Sequence, residues 1–316
     1  MPTGSAALPQ LEADVFLTDG GLETTLIFDD GIELADFAAF TLVDDPAGRA
    51  ALVRYFDRYA AIAVADGVGI VLETPTWRAS PDWAARQGIP ETDLIRLNQE
   101  AVALLKDVRL RHATESSPVV ISGCVGPRGD GYVAGELMTA ADARRYHDVQ
   151  VGAFADAGVD LITAITMTNS AEAVGIVEAA REVGLPVVIS FTVETDGTLP
   201  SGEALGAAVE AVDSATAGYT AYFMVNCAHP DHVAPVLDPG AAWIRRLGGL
   251  RANASRMSHA ELDEAEVLDR GDPAELAELY RDLREVHPHL RVVGGCCGTD
   301  HTHIAAISAA CARPET

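Results

Sequence analysis

Residues 159–192 read VDLITAITMTNSAEAVGIVEAAREVGLPVVISFT, and this stretch contains a complete strand–helix–strand unit. The largely apolar runs Asp160–Ile165 and Pro186–Thr192 predict two buried strands. Between them, Ser170–Val183 predicts a helix that ends at Gly184. Two buried strands joined by a single helix are the repeating unit of a parallel sheet.

The same alternation of strands and helices runs along the whole chain. Eight short apolar or β-branched runs each precede a stretch with helical periodicity. The runs are Val15–Thr18, Gly69–Glu73, Val119–Ser122, Asp160–Ile165, Pro186–Thr192, Ala221–Asn226, Gly249–Ala252 and Arg291–Gly294. Eight units predict an α/β protein with a single (β/α)8 TIM barrel as its catalytic domain, spanning residues 1–316. Residues 1–12 are expected to form a loose N-terminal extension.

An open doubly wound sheet is the alternative fold. The glycine-rich dinucleotide fingerprint that such sheets often carry is missing after the first strand, which favours the barrel. A barrel also requires its eighth strand to pair with its first. The motifs near Asp19 and Gly294 should therefore be neighbours, whereas in an open sheet they would generally lie apart.

Residue types favoured at helix starts mark three of the predicted helices. Asp45 precedes Pro46 and Asp272 precedes Pro273, which places a capping side chain before a proline at the first helical position. Thr139 and Asp142 have the spacing of a capping box, with Asp in place of the usual Glu.

Composition excludes several classes of function. The 316 residues include 47 acidic and 22 basic side chains, a formal net charge of −25. Polyphosphate backbones and anionic membranes would repel such a chain, so neither nucleic acid nor membrane is an expected partner. Its single lysine, Lys106, lies on the solvated face of a predicted helix, which argues against Schiff-base and pyridoxal phosphate enzymes.

The expected location is the cytoplasm. The N-terminal residues lack the basic and apolar regions of a signal peptide, and no apolar run is long enough to span a membrane. Five cysteines, an odd number in a long chain, do not resemble the disulfide framework of a secreted domain.

Two cysteine motifs carry the strongest chemical signal. Gly294–Thr299 (GGCCGT) ends the eighth predicted strand and Val225–Pro230 (VNCAHP) ends the sixth. Active sites of barrels lie at these C-terminal strand ends. Adjacent Cys296 and Cys297 can converge only if the chain bends there, which flanking glycines permit. With Cys227 they predict a site of three sulfurs and one open position, typical of catalytic zinc.

Other interpretations of the cysteines remain open. Free cysteines are often simply buried small residues, and a redox pair is a separate possibility. Adjacent cysteines form only a strained disulfide, which weighs against a redox pair of Cys296 and Cys297. Cys124 and Cys311 are interpreted as structural, although Cys124 ends the third strand near the barrel mouth.

These motifs resemble those of the homocysteine S-methyltransferase family, which includes betaine–homocysteine and S-methylmethionine–homocysteine enzymes. The resemblance covers nearly the whole chain and implies a barrel with zinc held by Cys227, Cys296 and Cys297. The matching segments are Asp19-Gly20-Gly21, Glu73–Pro81, Gly123–Pro127, Asn226-Cys227 and Gly294–Gly298.

The resemblance implies methyl transfer from a cationic donor, a sulfonium or quaternary ammonium compound, to a small thiol. Homocysteine is the default acceptor and methionine the product. Zinc coordination deprotonates a thiol, and three thiolate ligands would keep the bound sulfur electron-rich. Aromatic side chains such as Trp77, Phe37 or Phe40 could face the donor cation. A zinc hydrolase or lyase, and a non-catalytic zinc or redox protein, are the competing hypotheses.

One position departs from the family pattern. Ile165 stands where family members carry a glutamate that binds the amino group of the acceptor. An isoleucine cannot pair with an ammonium group, so either Asp19 or Glu73 takes that role or the acceptor lacks the amine. The candidate substrate-binding residues are Asp19, Gly20, Gly21, Glu73, Thr166 and Asn226.

The remaining polar candidates are expected to have structural roles more often than chemical ones. His301 and His303 form an HxH motif at a predicted helix start, capped by Asp300 or Thr299. His229 precedes Pro230 and is expected to belong to a turn. Loop positions or substrate contacts are open for Asn226 and Asn253, and solvated loop positions are expected for Glu194 and Asp196.

Overall fold

The computed structural model describes residues 8–265 and 267–312, and in them eight parallel strands close into a barrel in sequential order. The first strand pairs with the eighth, with Phe16 opposite Val292 and Leu17 opposite Val293. The closed order confirms the predicted (β/α)8 barrel and rules out the open sheet.

The strands follow the predicted runs closely, and the largest difference is at the third strand, which continues to Val125. Their bounds are β1 (Phe16–Thr18), β2 (Gly69–Glu73), β3 (Val119–Val125), β4 (Leu161–Met167), β5 (Val187–Phe191), β6 (Tyr222–Asn226), β7 (Leu247–Ala252) and β8 (Val292–Gly295).

Helices surround the sheet. They are α1 (Leu22–Phe28), α2 (Pro46–Asp66), α3 (Pro81–Arg86), α4 (Glu91–His112), α5 (Ala140–Ala157), α6 (Ser170–Glu182), α7 (Leu205–Thr216), α8 (Pro230–Val233), α9 (His259–Glu264), α10 (Pro273–Val286) and α11 (His301–Cys311). Over the described ranges, none of them combines the length and apolar character needed to cross a membrane.

The predicted capping residues lie at the N-terminal ends of their helices, as expected. The carboxylate of Asp45 accepts from the backbone N–H of Gly48 at 2.6 Å, and Asp272 caps α10 in the same way. Thr139 accepts from the N–H of Asp142 at 3.2 Å. The Asp142 carboxylate accepts from the Thr139 hydroxyl rather than from its backbone, because Asp is one methylene shorter than Glu. Only half of the capping box therefore forms.

Of the segment 1–12, which the sequence predicts to be a loose extension, the described residues 8–12 contain a buried turn instead. Leu8 and Gln10 are buried, and Pro9–Leu11 form a turn of 3-10 helix beneath the barrel. Leu8 belongs to the apolar cluster that fills the bottom of the barrel, and Gln10 Nε2 donates to the hydroxyl of Tyr222 at 3.5 Å. Covering this cluster removes apolar surface from water, which holds the segment in place. Residues 1–7 lie outside the described residues.

The barrel interior changes from apolar to polar along its axis. The lower cluster contains Phe16, Leu161 and Met224, whereas buried Glu73 and Arg251 belong to the upper ends of β2 and β7. Buried polar groups are costly unless they have partners, so this upper region is where function is expected.

Candidate active site

A cavity of about 540 Å³ opens at the C-terminal ends of the strands. It contains most of the residues that the sequence analysis singled out. Those in its wall are Asp19, Gly20, Gly21, Glu73, Trp77, Phe37, Ile165, Thr166, Cys227, Cys296 and Cys297. The two motifs at the ends of the sixth and eighth strands therefore meet in one pocket.

The three cysteines form the predicted cluster. The sulfur atoms of Cys227, Cys296 and Cys297 lie within 4.8 Å of one another. A tetrahedral zinc ion with Zn–S bonds near 2.3 Å would place its sulfurs about 3.8 Å apart. The cluster thus fits zinc in its number of ligands and in its donor type.

Cys227 and Cys296 are joined by a disulfide, with their Cα atoms 5.4 Å apart. The sequence indicates that a redox pair of the adjacent Cys296 and Cys297 would be strained, and the bonded pair is a different one. Metal ions bind thiolates rather than disulfide sulfur, so the metal-binding form requires the reduced pair.

The GGCCGT motif reaches the cluster by leaving the strand. β8 ends at Gly295, and the turn after it is fixed by a bond from the N–H of Cys296 to the carbonyl of Ala252 at 2.8 Å. A left-handed backbone conformation occurs at Gly298, with φ of +78°. Gly294 and Gly295 are needed for space instead, since a Cβ on either residue would overlap the hydroxyl of Thr18 or Thr299.

Asn226 fixes the backbone at the ends of β4 and β6. Cys227 and Thr166 have φ angles of 53° and 63°, a region that is costly for a β-branched residue. The amide of Asn226 accepts from the N–H of Thr166 at 2.9 Å and donates to its hydroxyl at 2.8 Å. It also lies 3.2 Å from the Cys227 sulfur. Both ends of its side chain are thus engaged behind the cavity wall.

Asp19 is paired with a residue that the sequence analysis did not select. Its Oδ1 accepts from Arg251 Nη2 at 2.6 Å, and its Oδ2 accepts from the hydroxyl of Tyr55 at 3.1 Å. Gly20 and Gly21 follow it, and a Cβ on Gly21 would lie 2.6 Å from the carbonyl oxygen of Cys296. These glycines let the end of β1 approach the cysteine turn.

Glu73 is a buried carboxyl group in the cavity wall. Burial raises its pKa to about 7, an effect opposed chiefly by the positive charge of Arg251 and by hydrogen bonds from Ser122 and Thr163. Its Oε2 has no hydrogen-bond partner among residues 8–265 and 267–312. Glu23 also lines the cavity, and burial raises the pKa of its carboxyl to about 7.

The aromatic candidates separate into two groups. Trp77 and Phe37 line the cavity, and Trp77 Nε1 donates to the carbonyl of Ile165 at 3.3 Å. Phe40 is fully buried in the core, where it cannot face a substrate. The guanidinium of Arg78 lies 3.5 Å from the ring centroid of Trp83 and 4.5 Å from that of Trp77, so a cation already lies over both rings.

Tyr132 comes from the loop between β3 and α5 and closes one side of the cluster. Its hydroxyl lies 3.5 Å from the sulfur of Cys297. Its ring stacks on His259 with centroids 4.0 Å apart, and His259 Nε2 lies 2.8 Å from the carbonyl oxygen of Cys227. These two residues therefore link the loop to the backbone of a cluster cysteine.

The other polar candidates lie outside the cluster. His303 is buried between Asp300, which caps α11, and the carbonyl of Arg270, while His301 is exposed. His229 caps α8, and burial lowers the pKa of its ring to about 4. Asn253 donates to the carbonyl of Cys227 at 3.1 Å.

Two further predictions concern loop and structural residues. The carboxylate of Glu194 forms a hydrogen bond with His259 Nδ1 at 3.1 Å and is only partly solvated. Asp196 lies in a surface turn, where it accepts from the N–H of Thr198. Cys124 lines the cavity and burial raises its pKa well above the usual range; Cys311 is buried in α11.

Three residues of the site, Arg251, Tyr132 and His259, are not among those predicted from the sequence. A signal existed for Arg251, since a charged residue near the C-terminal end of a predicted barrel strand points to the site. Tyr132 and His259 lie in long connections whose course no local pattern predicts.

Comparison with known proteins agrees with this geometry. A model of the homocysteine S-methyltransferase family matches residues 16–311. A homocysteine S-methyltransferase of Escherichia coli K12 is 27% identical over 323 aligned positions, which cover 94% of this chain and 95% of the relative. Homocysteine S-methyltransferase 1 of Arabidopsis thaliana is 23% identical, with 92% of each chain covered.

Solved structures show the same fold. The oxidized form of the E. coli homocysteine methyltransferase MmuM superposes with a TM-score of 0.74 at 23% identity, covering 94% of this chain and 96% of that one. Its metallated form gives the same TM-score at 21% identity, with the same coverage.

The fold and the three-thiol pocket define a barrel enzyme with its site at the strand ends. The chain belongs to the homocysteine S-methyltransferase family and is a methyltransferase.

Proposed function

We propose that the protein transfers a methyl group from a sulfonium or quaternary ammonium donor to homocysteine, with Zn²⁺ held by Cys227, Cys296 and Cys297. The observation that carries the proposal is the convergence of these three sulfurs at the C-terminal end of a family barrel. E. coli MmuM is described as a homocysteine methyltransferase with a metallated form, which supports the acceptor and a metal.

The metal supplies one kind of chemistry when bound. It keeps a coordinated thiol deprotonated at neutral pH, and three thiolate ligands leave that sulfur electron-rich. The three cysteines would hold the metal ion, because among the described residues it is their sulfur atoms that lie close together.

The protein residues provide position and exclude water. In the reaction, a lone pair of the acceptor sulfur forms a C–S bond as the C–S⁺ or C–N⁺ bond of the donor breaks. The bonding electrons stay with the donor, which leaves as a neutral molecule. Alignment of the two substrates therefore supplies much of the rate enhancement. Phe37, in the cavity wall, would face the donor cation, because the guanidinium of Arg78 already lies over the ring of Trp77.

The substrate-binding set is also part of the proposal. Asp19 would hold Arg251 in position and would not itself bind the substrate, since both oxygens of Asp19 already accept hydrogen bonds. Thr166 would contact substrate from the cavity wall, whereas Asn226 would hold Thr166 and Cys227 in position. Gly20 and Gly21 would present backbone to the substrate, and their lack of a Cβ lets the end of β1 pack against Thr299 and the cysteine turn. The need for reduced thiols favours the cytoplasm as the compartment.

The test is methyl transfer by reduced, zinc-loaded protein. S-methylmethionine, S-adenosylmethionine, betaine and dimethylsulfoniopropionate would each be offered with homocysteine, and methionine would be measured. We expect methionine from at least one donor and none from the Cys296→Ser variant. Failure of every donor with wild-type protein of full zinc content would overturn the proposal.

A further inference from the structure

Two buried charged side chains in the cavity each keep one atom without a partner. Arg251 Nε donates to the carbonyl of Gly295 at 3.1 Å, and its Nη2 donates to Asp19 and to the carbonyl of Gly20. Its Nη1 has no partner in the described part of the chain, and the same holds for Oε2 of Glu73. Both residues line the cavity and are less than a tenth exposed.

Such atoms are expensive unless a ligand completes their hydrogen bonds. An unpaired buried donor or acceptor costs free energy, and a charged one costs more. The two orphan atoms have opposite chemistry, since Nη1 can only donate and an ionised Oε2 can only accept. A ligand that satisfies both must itself carry a donor and an acceptor.

An α-amino acid end has that pair of groups on one carbon. Its ammonium donates and its carboxylate accepts, so it would fit between Glu73 and Arg251. Ile165, on the β4 side of the cavity, offers no charge to either group. Both oxygens of Asp19 already accept hydrogen bonds, whereas Oε2 of the buried Glu73 accepts none from the described residues. Glu23 also lines the cavity but is only partly buried, so an open oxygen costs less there.

We propose, building on the homocysteine acceptor proposed above, that Glu73 binds the ammonium group of the acceptor and Arg251 Nη1 binds its carboxylate. The strand that recognises the amine is thus β2 rather than β4, and Ile165 needs no charged replacement. The two residues determine acceptor specificity and take no part in breaking or forming the bonds to the methyl group.

The first test uses wild-type protein and truncated ligands, so it does not depend on any variant folding. Binding of homocysteine, 4-mercaptobutyrate and 3-mercaptopropylamine to zinc-loaded protein would be measured by calorimetry, without a methyl donor. The second compound lacks the amine and the third lacks the carboxylate. We expect each to bind about tenfold or more weakly than homocysteine. Equal affinities would overturn the proposal.

The second test assigns each group to its residue. Glu73→Gln should weaken homocysteine and 3-mercaptopropylamine about tenfold and leave 4-mercaptobutyrate within about twofold. Glu23→Gln is the matched control, since Glu23 is another cavity carboxyl with a pKa raised to about 7. If Glu23→Gln rather than Glu73→Gln discriminates the amine, the assignment is wrong.

Arg251 requires a conservative change because it also holds Asp19. Arg251→Lys should weaken homocysteine and 4-mercaptobutyrate more than 3-mercaptopropylamine. The methyl ester of homocysteine, which removes the carboxylate charge from the ligand, gives the same comparison on wild-type protein. If Arg251→Lys weakens the binding of all three thiol ligands to the same degree, Arg251 has a structural role only.

A rescue experiment tests the proposed change of strand. Ile165→Glu in the wild-type protein should leave homocysteine affinity within about twofold, because Glu73 already serves the amine. In a Glu73→Gln background, the same substitution should restore most of the lost affinity. No rescue, together with a clear gain from Ile165→Glu alone, would show that the amine lies at β4.

The outcomes separate the two proposals. Selective binding that depends on Glu73, without methionine from any donor, would refute the proposed reaction and keep the recognition of an amino acid thiol. Methionine production with a Glu73→Gln variant that treats all acceptors as wild type does would refute only the further inference.

Discussion

Arg251 Nη2 donates to Oδ1 of Asp19 at 2.6 Å, and both side chains are buried at the open end of the barrel. Asp19 follows β1 and Arg251 lies in β7, so the ion pair crosses β8, the strand that leads into the cysteine turn. Arg251 also donates to the carbonyl of Gly295 at the end of that strand. The pair therefore holds three strand ends around the cluster.

Breaking this ion pair should destabilise the fold. Arg251→Met leaves the Asp19 carboxylate buried without its cation, which should lower the free energy of unfolding by about 3–5 kcal/mol. Denaturation followed by circular dichroism would measure it. In the control, Asp19→Asn combined with Arg251→Met should cost clearly less than the sum of the single changes. Simple additivity would argue against a coupled pair.

Zinc content should depend on the cluster alone. Reduced wild-type protein should bind about one zinc ion per chain, and Cys296→Ser should lose it. Cys311→Ser is the matched control, because Cys311 is also buried but lies in α11 and outside the cluster. Metal analysis after gel filtration decides the matter. Equal zinc in both variants, or none in reduced wild type, contradicts the assignment.

The stability of the protein should depend on pH through Glu73. Burial raises its pKa from 4.5 to about 7, with the Arg251 charge as the main opposing effect and the Asp19 charge as a further contribution to the rise. A folded pKa above the unfolded value stabilises the fold fully below pH 4.5, and this contribution is lost as the pH rises to about 7.

Glu73→Gln should remove that dependence, because glutamine stays neutral. Its free energy of unfolding should match that of wild type near pH 4.5 and exceed it above pH 8, by up to roughly 3 kcal/mol. Glu100→Gln, at an exposed position, should follow wild type throughout. Denaturant titrations at the two pH values would detect the difference, and parallel curves for Glu73→Gln and wild type would contradict it.

Gly21 should be intolerant of a side chain. A Cβ there would lie 2.6 Å from the carbonyl oxygen of Cys296, a backbone atom that can move only with the cysteine turn. We expect Gly21→Ala to cost about 1–3 kcal/mol and to reduce zinc content. Gly152→Ala in α5 meets no atom within 4 Å and should be neutral or slightly stabilising. Normal metal binding in Gly21→Ala would show that the turn adapts.

Much of the fold and of the three-cysteine cluster was predictable from the sequence. Alternating strands and helices allow few topologies, and parallel strands in a barrel bring their C-terminal ends together. Cys227 and Cys296 could therefore be placed in one site although 69 positions separate them. The turn after β8 was also expected to bend, but the space that Gly294 must leave for Thr18 depends on strand packing.

The polar part of the site was less predictable, because it depends on which side chains meet inside the barrel. Nothing local in the sequence relates Asp19 to Arg251. Their ion pair determines which buried carboxylate keeps an oxygen without a hydrogen-bond partner among the described residues. The disulfide between Cys227 and Cys296 likewise follows from tertiary proximity. Leu8 lies in a segment that was predicted to be loose, yet it packs in the apolar cluster at the bottom of the barrel.

The cysteines lie at the ends of β6 and β8, on either side of β7, and this placement would couple metal capture to the closure of the barrel. Cys227 ends β6, but Cys296 and Cys297 reach it only when β8 has inserted between β7 and β1. An intermediate with the first seven strands in place would offer a single thiolate, too few to retain the ion. Bound zinc would then stabilise the closed barrel, and its release during unfolding would show that β8 has separated from its neighbours.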